Sequence, residues 1–200
     1  MSIYRVLEIP FVYRMSQAIL APGHVRIISQ HLSRALAQVP APATVLDVGC
    51  GPSSFLWNLG MKPVGLDLCH AYTKKFHDAG NLSVTASAAV LPFPADSFDL
   101  VFSMDLLHHL PDEVARETIG EIVRVTRSGG EAVLFDPVLP KVAWRRPQAW
   151  ALCKLDRGRF IRSQSDYESC VLGAREWKTA RFTHTYLGAE GVLTLLRKGR

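Results

Sequence analysis

The feature that most constrains the fold is a short apolar run that ends in an aspartate and a glycine-rich turn. The run extends from Thr44 to Val48, contains Asp47 near its end, and is followed directly by Gly49 and Gly51. Glycine lets the backbone pass close to a ligand because it has no side chain to clash. In open α/β sheets, ligands bind beyond the carboxyl ends of the strands. The pattern therefore predicts a nucleoside-binding turn after the first strand.

A second carboxylate, Asp67, follows the next strand candidate at residues 63–66. Its distance from Gly49 is close to the roughly 20 residues expected for an acid that binds two ribose hydroxyls. A dinucleotide fingerprint would have a third glycine where Ser54 stands, and no P-loop pattern occurs. Asp47 would also repel a pyrophosphate. A nucleoside ligand without phosphates fits better, and a nicotinamide-dependent oxidoreductase is disfavoured.

Strand and helix patterns alternate through most of the chain. After Pro22, apolar residues at helical spacing predict a helix, and residues 70–79 are also compatible with a helix. Further strands are predicted at 82–86, 98–103 and 131–135. A helix starting at Pro111 is predicted to end at Ser128-Gly129-Gly130. This alternation indicates a parallel sheet with right-handed crossovers. The face of the first helix is formed by Val25, Ile28, Leu32, Leu36 and Val39.

The last third of the chain follows a different pattern. Residues 137–162 show little periodicity, whereas Ser165 and Glu168 have the spacing of a capping box for a helix that would stop at Gly173. Two strands at 177–186 and 192–198 suit a hairpin. The predicted fold is therefore α/β: a Rossmann-like, doubly wound, mostly parallel sheet with an antiparallel C-terminal hairpin and helices on both faces.

Length, cysteine usage and charge set the expected class. The 200 residues suit one compact domain, and the four cysteines are scattered as in a reducing compartment. We see no signal peptide and no run near the roughly 20 apolar residues of a membrane span, so we expect a cytoplasmic protein. Residues 1–136 carry net charge −3 and residues 137–200 carry +8. The basic end indicates either an anionic partner or a solvated face.

Four segments together resemble class I S-adenosylmethionine-dependent methyltransferases, in the small-molecule and lipid methyltransferase subgroup (methyltransferase type 11-like). Residues 45–52 (VLDVGCGP) resemble their first motif, and residues 91–101 resemble the segment leading into their fourth strand. Residues 107–110 (LHHL) resemble the turn after that strand. Residues 123–130 resemble the helix and turn before the fifth strand. The resemblance covers residues 43–136 well, and the two tail strands fit the family's hairpin.

The resemblance implies a role for each matching position around the cofactor. The backbone at Gly49, Cys50 and Gly51 would pass under the methionine and ribose parts of S-adenosylmethionine. Asp47 would hold the amino end, and Asp67 would accept hydrogen bonds from the ribose hydroxyls.

Further along, Leu68 would line the adenine and the backbone near Ser103 would face the methionine end. Ser87 and Ala88 lie where many relatives have an acidic residue and its neighbour that read the adenine edge. Serine departs from that pattern, because its hydroxyl accepts a hydrogen bond less strongly than a carboxylate.

Methyl transfer from a sulfonium is an in-line displacement whose leaving group departs neutral. The enzyme therefore contributes mainly by positioning the nucleophile, with or without a base that removes its proton. His109 is the candidate catalytic base because it follows the fourth strand, although packing against the turn is the alternative. His108 is expected to point away. Tyr13 and His24 would cap the pocket if the N-terminal arm folds over it. No metal is expected.

The organisation expected from these patterns is a single methyltransferase domain over residues 1–200. It comprises an N-terminal arm and helix (1–40), a cofactor-binding core (43–136), an acceptor-side insertion (137–176) and an edge hairpin (177–200). In the insertion, arginines 157, 159 and 162 could clamp a carboxylate or phosphate; alternatively, Asp156 pairs with a neighbouring arginine.

The expected function is methyl transfer to a small-molecule or lipid-like acceptor. An RNA methyltransferase remains an alternative on account of the basic tail, and Ser87 leaves open a non-catalytic S-adenosylmethionine-binding partner subunit.

Overall fold

The computed structural model describes residues 23–37, 44–156, 158–171 and 177–199. These residues form one seven-stranded sheet with helices before and between the strands. The strands are β1 (Val45–Val48), β2 (Val64–Asp67), β3 (Ser83–Thr85), β4 (Phe98–Met104), β5 (Thr126–Val138), β6 (Trp177–Thr183) and β7 (Glu190–Arg197). The α-helices are α1 (His24–Leu36), α2 (His70–Asp78), α3 (Asp112–Val125), α4 (Pro147–Leu155) and α5 (Gln164–Val171).

The strand order is β3-β2-β1-β4-β5-β7-β6, with β1 at the point where the order reverses. The pairs among β1 to β5 are parallel, and β7 runs antiparallel to both β5 and β6. All four residues of β1 are buried, as expected for a central strand covered on both faces. The predicted α/β fold with an antiparallel C-terminal hairpin is confirmed.

The strands bury alternate side chains on two opposite faces, and each face is covered by helices. In β5, Ala132 and Leu134 join one apolar cluster, whereas Val133 and Phe135 join the other. Helices α3 and α5 cover the first face, and α1 covers the second together with the 3₁₀ turn Phe55–Leu59. The prediction of helices on both faces is therefore correct.

Three local expectations are wrong, and they concern the buried face of α1, the end of α3 and the cap of α5. Val25 does not belong to the buried face of α1, since it is 58% exposed while Ile28, Leu32 and Leu36 are buried; Val39 lies outside the described residues. Helix α3 ends at Val125, and Thr126 already belongs to β5. The glycines there accommodate a register shift against β4, where a Cβ on Gly130 would lie 2.8 Å from the Asp99 carbonyl oxygen.

The capping residue of α5 is Ser163 rather than Ser165. The Ser163 hydroxyl accepts a hydrogen bond from the Asp166 backbone N–H at 3.1 Å. The predicted stop at Gly173 lies outside the described residues. The weakly periodic segment after β5 holds the 3₁₀ turn Ala143–Arg145 and helix α4. None of the helices in the described ranges combines the length and apolarity that a membrane crossing requires.

Candidate active site

The glycine turn after β1 is held by hydrogen bonds to the neighbouring strand. The backbone N–H groups of Gly49 and Cys50 both donate to the Leu66 carbonyl oxygen, at 2.7 and 3.0 Å. Gly49 and Gly51 have φ values of 76° and 60°, in the left-handed region that favours glycine. A Cβ on Gly51 would meet no described atom within 4 Å. The turn therefore presents bare backbone to open space at the carboxyl end of β1.

Asp67 joins the glycine turn to the start of α2. Its Oδ2 accepts from the Gly51 N–H at 3.0 Å, and its Oδ1 accepts from the Cys69 N–H at 2.8 Å. A carboxylate has about four acceptor positions, so each oxygen keeps capacity for a further donor. The structure therefore places Asp67 against the glycine turn, while its role toward a ribose stays a prediction.

Asp47 is buried beneath the turn, and Ser54 is its partner. The Ser54 hydroxyl donates to Asp47 Oδ2 at 2.5 Å and accepts from the Leu56 N–H at 3.1 Å. Burial raises the pKa of Asp47 to about 7, although the hydrogen bond from Ser54 acts in the opposite direction. Sequence reasoning treated Ser54 only as a missing glycine. Its position before an apolar 3₁₀ turn was the signal for a cap.

The remaining predicted cofactor residues differ in what they expose. Leu68 follows Asp67 and is 75% exposed. Ser87 is exposed, and its hydroxyl accepts from the Ala89 N–H at 3.2 Å, while Ala88 is partly buried against the core. The Ser103 hydroxyl is buried and donates to the Val48 carbonyl oxygen at 2.9 Å. Ser103 therefore fixes the end of β4 to the end of β1.

Cys50 is a buried part of the turn. Its thiol donates to the Gly51 carbonyl oxygen, with an Sγ-to-O distance of 3.3 Å. Burial, and then the nearby Asp47 and Asp67 carboxylates, raise the pKa of this thiol far above its usual value. The thiol is therefore protonated and unreactive at neutral pH, and Cys50 contributes its backbone to the turn.

A cluster of acidic and histidine side chains lies at the carboxyl ends of β4 and β5, where Asp105 and His108 follow β4 and Asp136 lies near the end of β5. His108 Nδ1 lies 2.7 Å from Asp136 Oδ1, and its Nε2 lies 3.4 Å from Asp156 Oδ1. Burial lowers the pKa of His108, but the charge of Asp136 and the hydrogen bonds to both carboxylates raise it to about 10 overall. His108 is therefore an imidazolium that is buried between carboxylates.

His24 extends this cluster on its other side. Its Nδ1 lies 3.0 Å from His184 Nδ1, and its Nε2 lies 3.8 Å from Asp105 Oδ2. Burial lowers the pKa of His24 to about 4 and that of His184 to about 3, so both rings are neutral at pH 7. With both rings neutral, one of the two Nδ1 atoms donates this hydrogen bond and the other accepts it.

Asp105, His108 and Asp136 also have the spacing of a cation site, with one donor atom each, all within 4.8 Å of one another. The 2.7 Å hydrogen bond between His108 and Asp136 already engages two of these donors. The geometry therefore favours an ion pair over a metal site.

The other predicted acceptor-side residues separate into different roles. His109 is exposed, with its ring centroid 4.1 Å from that of His108. Arg159 is exposed. Asp156 pairs with His108 and accepts from the Gly158 N–H; a pairing with Arg157 would lie outside the described residues. Tyr13 and Arg157 lie outside the described residues.

Arg162 is committed to structure rather than to an anion clamp. Its guanidinium is buried and donates to Asp112 and to three backbone carbonyls.

The glycine turn and the histidine–aspartate cluster adjoin at Leu106. A Cβ on Gly49 would lie 2.9 Å from Leu106 Cδ1, and Asp105 directly precedes this residue with a φ of 54°. The Asp105 N–H donates to the Phe135 carbonyl oxygen at 3.0 Å. Two features therefore adjoin at one sheet edge: a bare glycine turn flanked by two aspartates, and a cluster of titratable groups.

This sheet order defines a Rossmann-like α/β protein, whose ligands bind at the carboxyl ends of the strands, where the glycine turn lies. Residues 46–134 match the family model described as a methyltransferase domain. Over these residues the chain is similar to the class I S-adenosylmethionine-dependent methyltransferases, and S-adenosylmethionine is the cofactor that this similarity implies.

A protein of Encephalitozoon cuniculi named as a methyltransferase is 32% identical over 156 residues, which cover 76% of this chain and 66% of the relative. A tRNA (carboxymethyluridine(34)-5-O)-methyltransferase of Xenopus tropicalis is 29% identical over 102 residues, covering 50% of this chain and 16% of the relative. The chain thus spans less than two thirds of either relative's length.

Among solved structures, an S-adenosylmethionine-dependent methyltransferase of Thermotoga maritima superposes with a TM-score of 0.71 at 14% identity. The match covers 98% of this chain and all of the other (100%). At that identity, the similarity shows the shared fold.

Proposed function

We propose that this protein transfers the methyl group of S-adenosylmethionine to a small-molecule or lipid-like acceptor. The observation that carries the proposal is the contact between the glycine turn and the Asp105–Leu106 segment. This contact supports the proposal because it places the glycine turn, with open space at Gly51, beside titratable side chains that can hold a nucleophile. We further propose that residues 137–176 shape the acceptor side, since Asp156 and Gly158 contact His108.

On the cofactor side, Asp67 would accept the ribose hydroxyls with the acceptor capacity that Gly51 and Cys69 leave free. Asp47, which is buried beneath the turn, would hold the amino end of the cofactor. Exposed Leu68 would lie against the adenine.

Ser87 and Ala88 would lie along the edge of the adenine. The turn formed by Gly49, Cys50 and Gly51 would pass under the ribose and methionine, and the Ser103 backbone would face the methionine end.

On the acceptor side, the reaction needs a positioned nucleophile and a destination for its proton. The nucleophile's electron pair forms the new bond to the methyl carbon, and the carbon–sulfur pair returns to sulfur as a neutral thioether. Desolvation raises the pKa of Asp105, with His108 acting in the opposite direction, and its side chain is still 39% exposed. An accessible carboxyl group with a raised pKa suits a general base. Asp105 is our first candidate base, and exposed His109 is the second.

The test compares two glycine substitutions by calorimetry with S-adenosylhomocysteine. Gly51 and Gly60 both have positive φ and open space where a Cβ would be added, but Gly60 ends the 3₁₀ turn, outside the proposed site. Gly51→Ala and Gly60→Ala should each lower stability by about 1–2 kcal/mol. Gly51→Ala alone should weaken the ligand's affinity, by about tenfold or more, because its methyl group would enter the cofactor space.

Equal affinities of Gly51→Ala and the parent protein would contradict the assignment of the turn. No heat of binding for the parent protein at millimolar ligand would contradict the proposed function as a whole.

A second candidate is RNA methylation, favoured by the tRNA acceptor in the name of the Xenopus relative and by the +8 charge of residues 137–200. It predicts salt-sensitive binding to transfer RNA, with log affinity falling linearly with log salt. Transfer of a labelled methyl group to transfer RNA, and not to lipid or small-molecule extracts, would favour it over the first.

A further inference from the structure

Helix α4 is an apolar helix that the protein barely covers. Its sequence is PQAWALCKL, yet among its residues only Ala149 is buried. Trp150 and Leu155 are exposed, and Leu155 is 74% exposed. A surface helix of a folded domain ordinarily turns its apolar stripe to the core. Here much of the apolar surface faces outward.

The exposed residues of α4 share one side of the helix. At 100° per residue, Trp150, Ala151, Lys154 and Leu155 fall on the arc opposite Ala149. The Lys154 ammonium lies 5.4 Å from the centroid of the Trp150 ring. This arc therefore combines an indole and two aliphatic side chains with a cation.

The segments on either side of α4 continue the same composition. Trp144 is 76% exposed, with the Arg145 guanidinium 5.0 Å from its ring centroid. Val142 and Phe160 are also exposed. We call the whole the basic–aromatic surface; its members are Lys141, Val142, Trp144, Arg145, Trp150, Lys154, Leu155, Arg159 and Phe160.

We propose that the basic–aromatic surface docks the protein on an anionic lipid bilayer, with α4 lying in the plane of the interface. Exposed tryptophan and aliphatic side chains gain free energy when they enter the headgroup boundary, and the surrounding cations are attracted to anionic lipids. Indole rings favour that boundary because one end is apolar and the other polar. Charge complementarity thus selects a negatively charged surface.

Lipid fits this surface better than RNA does. RNA would stack bases on Trp144 and Trp150 and pair phosphates with the cations. It would leave Leu155 and Val142 in water, whereas a bilayer covers them. A polar partner therefore accounts for only part of the exposed apolar area.

The surface also leads directly into the candidate active site. Asp156, which follows α4, lies 3.4 Å from His108, and the Phe160 N–H donates to the His108 carbonyl oxygen at 3.0 Å. A Cβ on Gly158 would overlap His108 Cδ2, so this segment packs directly on the ring. An acceptor taken from the bilayer would be an amphiphile that enters beside His108. This last step rests on the proposed function, whereas the docking does not.

The test is flotation of the full chain with vesicles of phosphatidylcholine alone and of phosphatidylcholine mixed with phosphatidylglycerol. Binding should be at least about tenfold stronger to the anionic vesicles and should weaken with salt. Arg145→Ser with Lys154→Ser should lower it by about fivefold per cation. Trp144→Ser with Leu155→Ser should lower it by about tenfold or more. The matched controls are Lys75→Ser on α2 and Leu82→Ser before β3, both exposed, which should bind as the parent does.

Three results would overturn the docking proposal. These are no flotation with anionic vesicles at low salt, retention of vesicle binding in the Trp144→Ser, Leu155→Ser variant, and a surface-dependent RNA complex or dimer without vesicle binding. Calorimetry with S-adenosylhomocysteine on the same samples keeps the two proposals distinguishable. Vesicle binding without cofactor binding would refute only the proposed function. Cofactor binding without vesicle binding would refute only the docking proposal.

Discussion

Replacing Arg162 by methionine should destabilise the protein without touching the cofactor site. The side chain is buried and donates to Asp112 Oδ1 at 2.8 Å, to the Leu107 carbonyl at 2.8 Å and to the Leu110 carbonyl at 2.6 Å. Methionine fills similar volume but leaves these acceptors without the guanidinium.

The size of the stability loss depends on which of these acceptors can be hydrated once the guanidinium is removed. Breaking a buried charged pair costs about 3–5 kcal/mol. Asp112 is 65% exposed and regains hydration, which places Arg162→Met at the lower end, near 3 kcal/mol. For a chain of this length, each kcal/mol corresponds to roughly 2–4 °C, so the melting temperature should fall by about 6–12 °C.

The assay is thermal unfolding followed by circular dichroism, with Arg159→Met as the matched control. Arg159 belongs to the same segment but is exposed, so its substitution should change stability by less than about 0.5 kcal/mol. An unchanged melting temperature for Arg162→Met, combined with loss of activity on anionic acceptors only, would refute this reasoning. It would restore the anion-clamp role that the sequence suggested.

Two further variants probe the site. The pKa of His108 is raised to about 10, so the folded protein holds this proton more tightly than the unfolded chain, whose histidine has a pKa of 6.5. That stabilisation is complete below pH 6.5 and is lost as the pH rises toward 10. In urea titrations, the free energy of unfolding of the parent protein should therefore fall more steeply over this pH range than that of His108→Gln. Asp67→Ala should weaken S-adenosylhomocysteine binding by about tenfold or more in calorimetry, through lost charged hydrogen bonds, whereas exposed Asp78→Ala should not. An unchanged affinity of Asp67→Ala would mean that the ribose is bound elsewhere.

The strand–turn pattern around Asp47 could be predicted because its information is local. A buried strand, glycines at positive φ and an acid at the next strand end are each visible within a few residues. Boundaries were less predictable. The glycines after Val125 were interpreted as a helix cap, but they serve the register shift between β4 and β5, which depends on a partner strand distant in the chain.

By itself, the sequence determined the alternation of strands and helices, the glycine turn and the resemblance to methyltransferases. Only the tertiary structure decided the acceptor side. His108 follows β4 and contacts Asp136 near the end of β5, 28 residues away, because these parallel strands bring their carboxyl ends to one edge. His24, at the start of α1, contacts His184, which follows β6 and is 160 residues away. The pKa values that distinguish a neutral histidine from an imidazolium arise from these side-chain contacts and from burial. No sequence spacing encodes them, since burial and charge proximity exist only after the sheet has formed.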